Sequence, residues 1–240
     1  MRRLFIAIAL LVAISGLALW LLLRGHGEDP QTLLSMKKSQ HTEALRVSAE
    51  RGDEKAMVLL GDAYLNGDGV PKAPDRAMDW YKKAADKGDV QAAYDMAVLY
   101  ERGLGVTQDY YAAAKWYRLA ATFGKSVPAQ FALGRLYFTG RGVENDFSKA
   151  LKYYRMAAAR GHAGAQYLLG AMYEEGWGLK VDLVQAYYWY TLAARHADQA
   201  LAINPKYDPR SALKRIRVEM SKYQIGVGEK MLRDQAISAQ

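Results

Sequence analysis

One spacing restricts this chain more than any other: the glycine at position 52 recurs at 88, 124 and 161, at intervals of 36, 36 and 37 residues. Inside each interval a tyrosine coincides (Tyr64, Tyr100, Tyr137, Tyr173), followed three residues later by Gly-x-Gly (Gly67/Gly69, Gly103/Gly105, Gly140/Gly142, Gly176/Gly178). An apolar residue closes each turn (Val70, Val106, Val143, Leu179). An aromatic pair follows (Trp80-Tyr81, Trp116-Tyr117, Tyr153-Tyr154, Trp189-Tyr190), then an alanine pair (Ala84-Ala85, Ala120-Ala121, Ala157-Ala158, Ala193-Ala194). A period of this length means a stack of identical small units, because one unit is too short to bury its own apolar stripe.

Each unit carries two helical patterns. Ala56, Leu60, Ala63 and Tyr64 fall at i, i+4, i+7 and i+8, and the glycines then stop that helix. Ala77, Trp80, Tyr81, Ala84 and Ala85 form a second continuous stripe. Asp109, Asp146 and Asp182 stand where the second helices need an N-cap, and the first unit uses Ala73 followed by Pro74 instead. Rings alternating with alanines allow close stacking of hairpin on hairpin. Glu43 to Arg51 repeats the second-helix register, so residues 36–51 read as an N-terminal capping helix, 52–195 as four repeats and 196–240 as a C-terminal capping region. Within that tail Leu213, Ile216, Met220, Tyr223 and Ile225 keep a roughly helical spacing, with Ser221 as a candidate cap. Lys125-Ser126-Val127-Pro128 holds the one extra residue of the third unit, absorbed in its entry turn.

The composite A-x-x-x-L-G-x-x-Y-x-x-G-x-G-V, then D, then A-x-x-W-Y-x-x-A-A-x-x-G, resembles the Sel-like repeat, a longer-turn relative of the tetratricopeptide repeat. The resemblance runs from Gly52 to Arg195, and Val218 to Ile225 looks like the closing helix of such proteins. It departs at Ala73, at Met96-Ala97 in place of Leu-Gly, and at the third-unit insertion. It implies an all-α, right-handed α-solenoid of helix hairpins with capping helices, working as an adaptor or scaffold that binds other proteins. Such motifs specify fold far more than function.

Ahead of the repeats, Leu4 to Leu23 is a run of twenty uncharged residues, thirteen of them Leu, Ile, Val or Phe. At about 1.5 Å per residue it spans about 30 Å, a bilayer's hydrocarbon core. Residues 1–23 therefore read as a signal anchor with one transmembrane helix, and 24–35, with its glycines, Pro30 and alternating charge, as a linker. A cleaved signal peptide, leaving a secreted soluble binding module, is the competing reading, since Ala13-Ile14-Ser15 is a small-x-small site; the apolar run continues past it to Leu23, which favours a retained anchor. Arg2 and Arg3 favour a cytoplasmic N-terminus, although Arg24, Lys37 and Lys38 lie on the other side. In a bacterium that orientation places a single-pass protein in the inner membrane with its repeats in the periplasm.

Chemistry is sparsely signalled. The absence of cysteine excludes disulfides, a thiol nucleophile and Cys-ligated metal. His26, His41, His162 and His196 show no paired ligand spacing, and His162 reads as an exposed turn residue at a repeat boundary. The Gly-x-Gly turns follow no strand and lack a third glycine, so they are helix stops rather than phosphate loops. Ser35 to Lys38 and Ser211 to Lys214 have the Ser-x-x-Lys spacing of serine β-lactamases, without the accompanying elements; they keep open an envelope enzyme or regulator acting on peptidoglycan or β-lactams. No catalysis, cofactor or metal is expected. The net charge of +8 admits acidic partners, but Lys214, Arg215, Arg217 and Lys222 are interrupted by Glu219, lack a stacking set of aromatics and read as a solvated face, so nucleic acid is not expected.

By analogy with tetratricopeptide repeats, the first helices line a groove for a partner protein or peptide. The repeat places Val58, Tyr94, Phe131 and Tyr167 in one row, Asp62, Val98, Arg135 and Ala171 in the next, then Leu65, Glu101, Phe138 and Glu174, and Asn66, Arg102, Thr139 and Glu175 nearest the turn. The candidate contacts are Asp62, Tyr94, Arg102, Phe131, Arg135, Phe138, Tyr167 and Glu175, with rings as anchors and the arginines as orienting charges. The alternative is that the rings belong to the repeat core.

Overall fold

A computed structural model describes residues 29–238; the expected transmembrane helix over 4–23 lies outside them. Among the described residues there are twelve helices and no strand, and no helix is long and apolar enough to cross a membrane. Helix α1 (Pro30–Glu50) is followed by four hairpins, α2 (Glu54–Asn66) with α3 (Pro74–Asp86), α4 (Val90–Arg102) with α5 (Tyr110–Thr122), α6 (Val127–Thr139) with α7 (Phe147–Ala158), and α8 (Ala163–Glu175) with α9 (Leu183–Ala194). Three more helices follow, α10 (Ala197–Ile203), α11 (Pro209–Glu219) and α12 (Lys222–Ser238). Each helix of the hairpin array packs on its neighbours in sequence, which is a solenoid; α10 then folds back onto α8, while α11 and α12 pack on α9.

Local chemistry sets every boundary. The first helices start on Asp53, Asp89, Ser126 and His162, each accepting from the backbone N–H three residues on, at 3.0, 2.8, 3.4 and 3.2 Å. They end on Gly67, Gly103, Gly140 and Gly176, all left-handed at φ between 67° and 82°. The second helices start on Asp109, Asp146 and Asp182, and in the first unit on Pro74 at N1. Between the two, the carbonyls of Tyr64, Tyr100, Tyr137 and Tyr173 accept from Ala73, Asp109, Asp146 and Asp182 at 2.8–3.0 Å, which locks the long turn.

Packing explains the remaining invariants. Tyr81, Tyr117, Tyr154 and Tyr190 are essentially fully buried. Each ring removes about 150–250 Å² from water, an upper limit of about 4–6 kcal/mol apiece. The rings fit because Gly61, Gly134 and Gly170 face them: a Cβ there would lie 2.5–2.7 Å from ring atoms. Ala97 takes this place in the second unit and is itself buried beside Met96. The second glycine of each turn has another duty. A Cβ on Gly69, Gly105 or Gly142 would lie 2.2–2.4 Å from backbone atoms of Lys38, Pro74 or Tyr110 in the element before, and one on Gly178 would lie 2.5 Å from the Phe147 Cβ. These glycines are where one unit touches the last.

The structure corrects several boundaries. Helix α1 begins at Pro30, not at 36, because proline's fixed φ suits the first helical turn; the stretch 30–35 is helix rather than linker. It serves as the missing second helix of a half-unit, since Lys38 meets Gly69, its Nζ pairs with Asp68 at 2.8 Å, and Thr42 donates to the Asp68 carbonyl. The third-unit insertion moves the left-handed residue of the entry turn. Gly52, Gly88 and Gly161 take it elsewhere at φ 85–100°, but here Lys125 does at φ 50°, and Gly124 instead gives room to Val90. The closing stretch Val218 to Ile225 is not one helix. Met220 is extended (φ −86°, ψ 138°), and Ser221 starts α12 with a reciprocal cap, its Oγ accepting from Gln224 N and its N–H donating to Gln224 Oε1.

Candidate functional site

The first helices share one face, and the second-helix tyrosines reach up behind it. The hydroxyls of Tyr81, Tyr117 and Tyr190 donate to Asp62, Glu101 and Glu174 at 2.7, 2.6 and 2.7 Å. Burial, and then the bonded carboxylate, push all three hydroxyls far above their ordinary range, so they stay protonated donors. The third unit breaks the ladder. Phe138 stands where units two and four have Glu101 and Glu174, and the buried Tyr154 hydroxyl finds no partner among the described residues. Replacing Tyr154 with phenylalanine should therefore raise stability by about 1 kcal/mol, whereas Tyr117→Phe should lower it by about 1–2 kcal/mol by stripping a donor from Glu101. Urea unfolding of the two variants checks this, and equal effects would contradict it.

Between α4 and α6 the face opens into a cavity of about 570 Å³. Tyr94, Val98, Glu101 and Arg102 come from α4, and Phe131, Ala132 and Arg135 from α6. Gln108 and Tyr110 form its rim on the turn side, and His162, Ala202 and Ile203 close the other end. Arg135 pairs with Glu101. Gln108 is fixed by donating to the Glu101 carbonyl at 2.8 Å and to the Tyr110 hydroxyl at 3.2 Å. Arg102 is exposed and makes no ion pair among the described residues. On the neighbouring turn, Asp95 is held by the Gln91 amide at 3.1 Å; burial, with Asp62 and Asp89 nearby, pushes its carboxyl up to about 6.

His162 is not an exposed turn residue. It is half-buried, caps α8 through Nδ1, and stacks on Phe131 with ring centroids 4.3 Å apart. Burial lowers its pKa from 6.5. The folded state thus binds fewer protons there than the unfolded chain, so its contribution is complete above about pH 6.5 and is lost as pH falls from there toward the depressed folded value. Protonation would also place a proton on the capping nitrogen and a positive charge at a helix N-terminus. His162→Asn keeps an acceptor without titrating, so the wild-type chain should lose more stability than this variant between about pH 7.5 and about pH 5. Parallel stability curves would contradict the assignment.

Beyond Phe131 the face is covered by the chain itself. Tyr207 stacks on Tyr167 at 5.0 Å with an interplanar angle of 23°. A Cβ on Gly164 would lie 2.9 Å from Ile203. Arg215 binds Glu174 through two hydrogen bonds of 2.8 and 2.7 Å; burial opposes the Glu174 charge, but the Arg215 and Tyr190 bonds outweigh it and hold its carboxyl below the usual range.

The eight expected contacts therefore separate. Tyr94, Arg102, Phe131 and Arg135 line the cavity. Asp62 lies one unit away, engaged with Tyr81. Phe138 is packing, with ring centroids 5.3 Å from Phe147 and 5.0 Å from Trp177. Tyr167 is covered by Tyr207, and Glu175 is exposed beyond the covered stretch. Glu101 belongs to the site and stood in the right row of the repeat; its recurrence as Glu174 was the available signal. No sequence pattern pointed to Tyr207 or Ile203. In the basic C-terminal cluster Lys214, Arg215, Arg217 and Lys222 are all exposed, as a solvated face requires, but Arg215 also binds Glu174 and Arg217 lies 5.7 Å from the Tyr187 ring centre. The two Ser-x-x-Lys serines face elsewhere: Ser35 donates to the Thr32 carbonyl and Ser211 to Asp208, while Lys38 is held by Asp68. Among the described residues no group of three or more His, Asp and Glu is placed to hold a metal ion.

The Sel1 repeat pattern matches residues 54–89, 90–122, 127–162 and 163–198. Among solved structures, a Sel1 repeat protein from Oxalobacter formigenes is 32% identical, with a TM-score of 0.63 over 68% of this chain and 64% of that one. The protein c5321, described as a protective antigen present in uropathogenic Escherichia coli strains and displaying an SLR fold, is 27% identical, with a TM-score of 0.65 over 85% of this chain and 50% of that one. The chain thus spans about two thirds and one half of these relatives' lengths. No curated protein matches it.

Proposed function

Since the chain belongs to the Sel1 repeat family, we propose that it is a scaffold that holds a partner protein in the open part of its first-helix face, anchored to the inner (cytoplasmic) membrane by residues 4–23 with its repeats on the periplasmic side. The observation that carries the binding reading is the cavity between α4 and α6, where Tyr94, Tyr110, Tyr117 and Phe131 converge with Arg102 and Arg135 and the tail reaches only one end, at Ala202 and Ile203. Concave surfaces mixing apolar and aromatic walls with a few placed polar groups are the usual form of a binding site. The uncharged run from Leu4 to Leu23 supports the anchor.

Photo-crosslinking in intact cells tests the binding reading. A crosslinker at Gln108, on the cavity rim, should capture a partner, and one at the exposed Lys115 on α5 should not. Capture at Lys115 alone would refute it. The intact mass of the mature chain, together with its extraction only by detergent, tests the anchor; a chain beginning after Ser15 would refute it.

A further inference from the structure

The covered part of the face shows what these repeats accept. Tyr94, Phe131 and Tyr167 occupy the same position in successive units. Each has the second-helix tyrosine of its own hairpin on one side, Tyr117, Tyr154 and Tyr190, with centroids 5.7, 6.0 and 5.3 Å away. On the other side Tyr167 carries Tyr207, and Phe131 carries His162. Tyr94 has no such second ring among the described residues, and its side lies open to the cavity.

Charge separates the open stretch from the covered one. In the fourth unit the acid of the ladder, Glu174, draws in Arg215 from the tail. In the second unit Glu101 is already satisfied by Arg135 and Tyr117. The charge left over at the cavity is Arg102, which lines it together with Tyr94. The segment that covers Tyr167 runs Ile203-Asn204-Pro205-Lys206-Tyr207-Asp208, so an aromatic residue with a neighbouring acid already lies on this face, with Asp208 used as the cap of α11.

Resting on the scaffold reading above, we propose that the open part of the face takes an extended segment of a partner protein that carries an aromatic side chain, stacked on Tyr94, and a carboxylate close to it in sequence, paired with Arg102. The ring fills the vacancy that Tyr207 fills two units later, and the carboxylate meets a guanidinium suited to two parallel hydrogen bonds. An arginine with a free fork in the same cavity as a ring left open on one side favours this pair over a basic or purely aliphatic segment.

The test uses the full chain, fluorescently labelled, against an array of short Gly-Ser peptides. Each has one variable central residue (Phe, Tyr, Trp, Leu or Ala) and one variable flanking residue (Asp, Asn or Lys) at every near position. Retention should require both an aromatic centre and Asp, with Asn in its place weakening binding about tenfold, equivalent to about 1.4 kcal/mol. Arg102→Gln should erase the preference for Asp over Asn while the aromatic preference persists, and Arg102→Lys should keep part of it. Tyr94→Ala should erase the aromatic preference. Preference for Lys, an Asp preference indifferent to Arg102, or no retained peptide would overturn the proposal. The broader reading fails separately: if the Gln108 crosslink captures a protein through a segment lacking an aromatic–acid pair, the scaffold stands and this specificity does not.

Discussion

Gly142→Ala should lower the melting temperature by about 4–20 °C, the largest effect expected of any single methyl group added to this chain. Two penalties coincide there. The backbone is left-handed at φ 66°, which costs about 1–2 kcal/mol for a residue with a Cβ. That Cβ would also lie 2.2 Å from the Tyr110 carbonyl carbon, and overpacking of this kind costs about 1–3 kcal/mol. At about 2–4 °C per kcal/mol for a chain of this size, the sum gives the stated range. Gly161→Ala supplies the control. Its φ is 85°, but nothing lies within 4 Å of a Cβ there, so only the backbone penalty of about 1–2 kcal/mol applies. Because each unit touches mainly its neighbours, the damage should concentrate at the contact of α5 with the third unit and appear as lost hydrogen-exchange protection there. Equal shifts for the two variants would mean that the turn glycines serve conformation alone.

Ile216→Ala should cost about 2–5 kcal/mol and release the tail. Ile216 is fully buried in a second core, in which Ala186, Tyr187 and Tyr190 of α9 pack with Ala212 and Met220 of the tail. That core holds α11 and α12 on α9, and with them the Arg215 clasp on Glu174. Loss of protection should therefore spread from 209–238 to α8, where Tyr167 loses its cover. Val218 lies in the same helix and is 87% exposed, so Val218→Ala should change stability by less than about 0.5 kcal/mol. A released tail with α8 still fully protected would mean that the covering segment is held by α10 and not by the second core.

The repeat made most of this architecture legible. Nine positions that coincide in all four units, with aspartate caps in three of them, locate the hairpins, the glycine stops and the buried tyrosines, because each is a local demand met repeatedly in the same way. What escaped were demands met only once. The tail leaves the period after Arg195, and nothing in Tyr207 or Arg215 says which unit they fold back upon, since that depends on chain direction after Pro205. The same limit applies to Phe138: its row was right, but a ring in a row of acids turns inward onto Trp177, and only the packing reveals it. His162 was misread because a histidine can cap a helix through Nδ1 just as the aspartates do at Asp53 and Asp89, a role its spacing already shared.

Once a partner has been captured through Gln108, footprinting of the free and bound chain decides between an open face and a tail that must move. Binding should shield Tyr94 and Arg102 while Tyr167 and Tyr207 stay as they were. Shielding confined to the second helices, or exposure of Tyr167 as the partner displaces Tyr207, would contradict a face that is half closed by its own tail and half open to another protein.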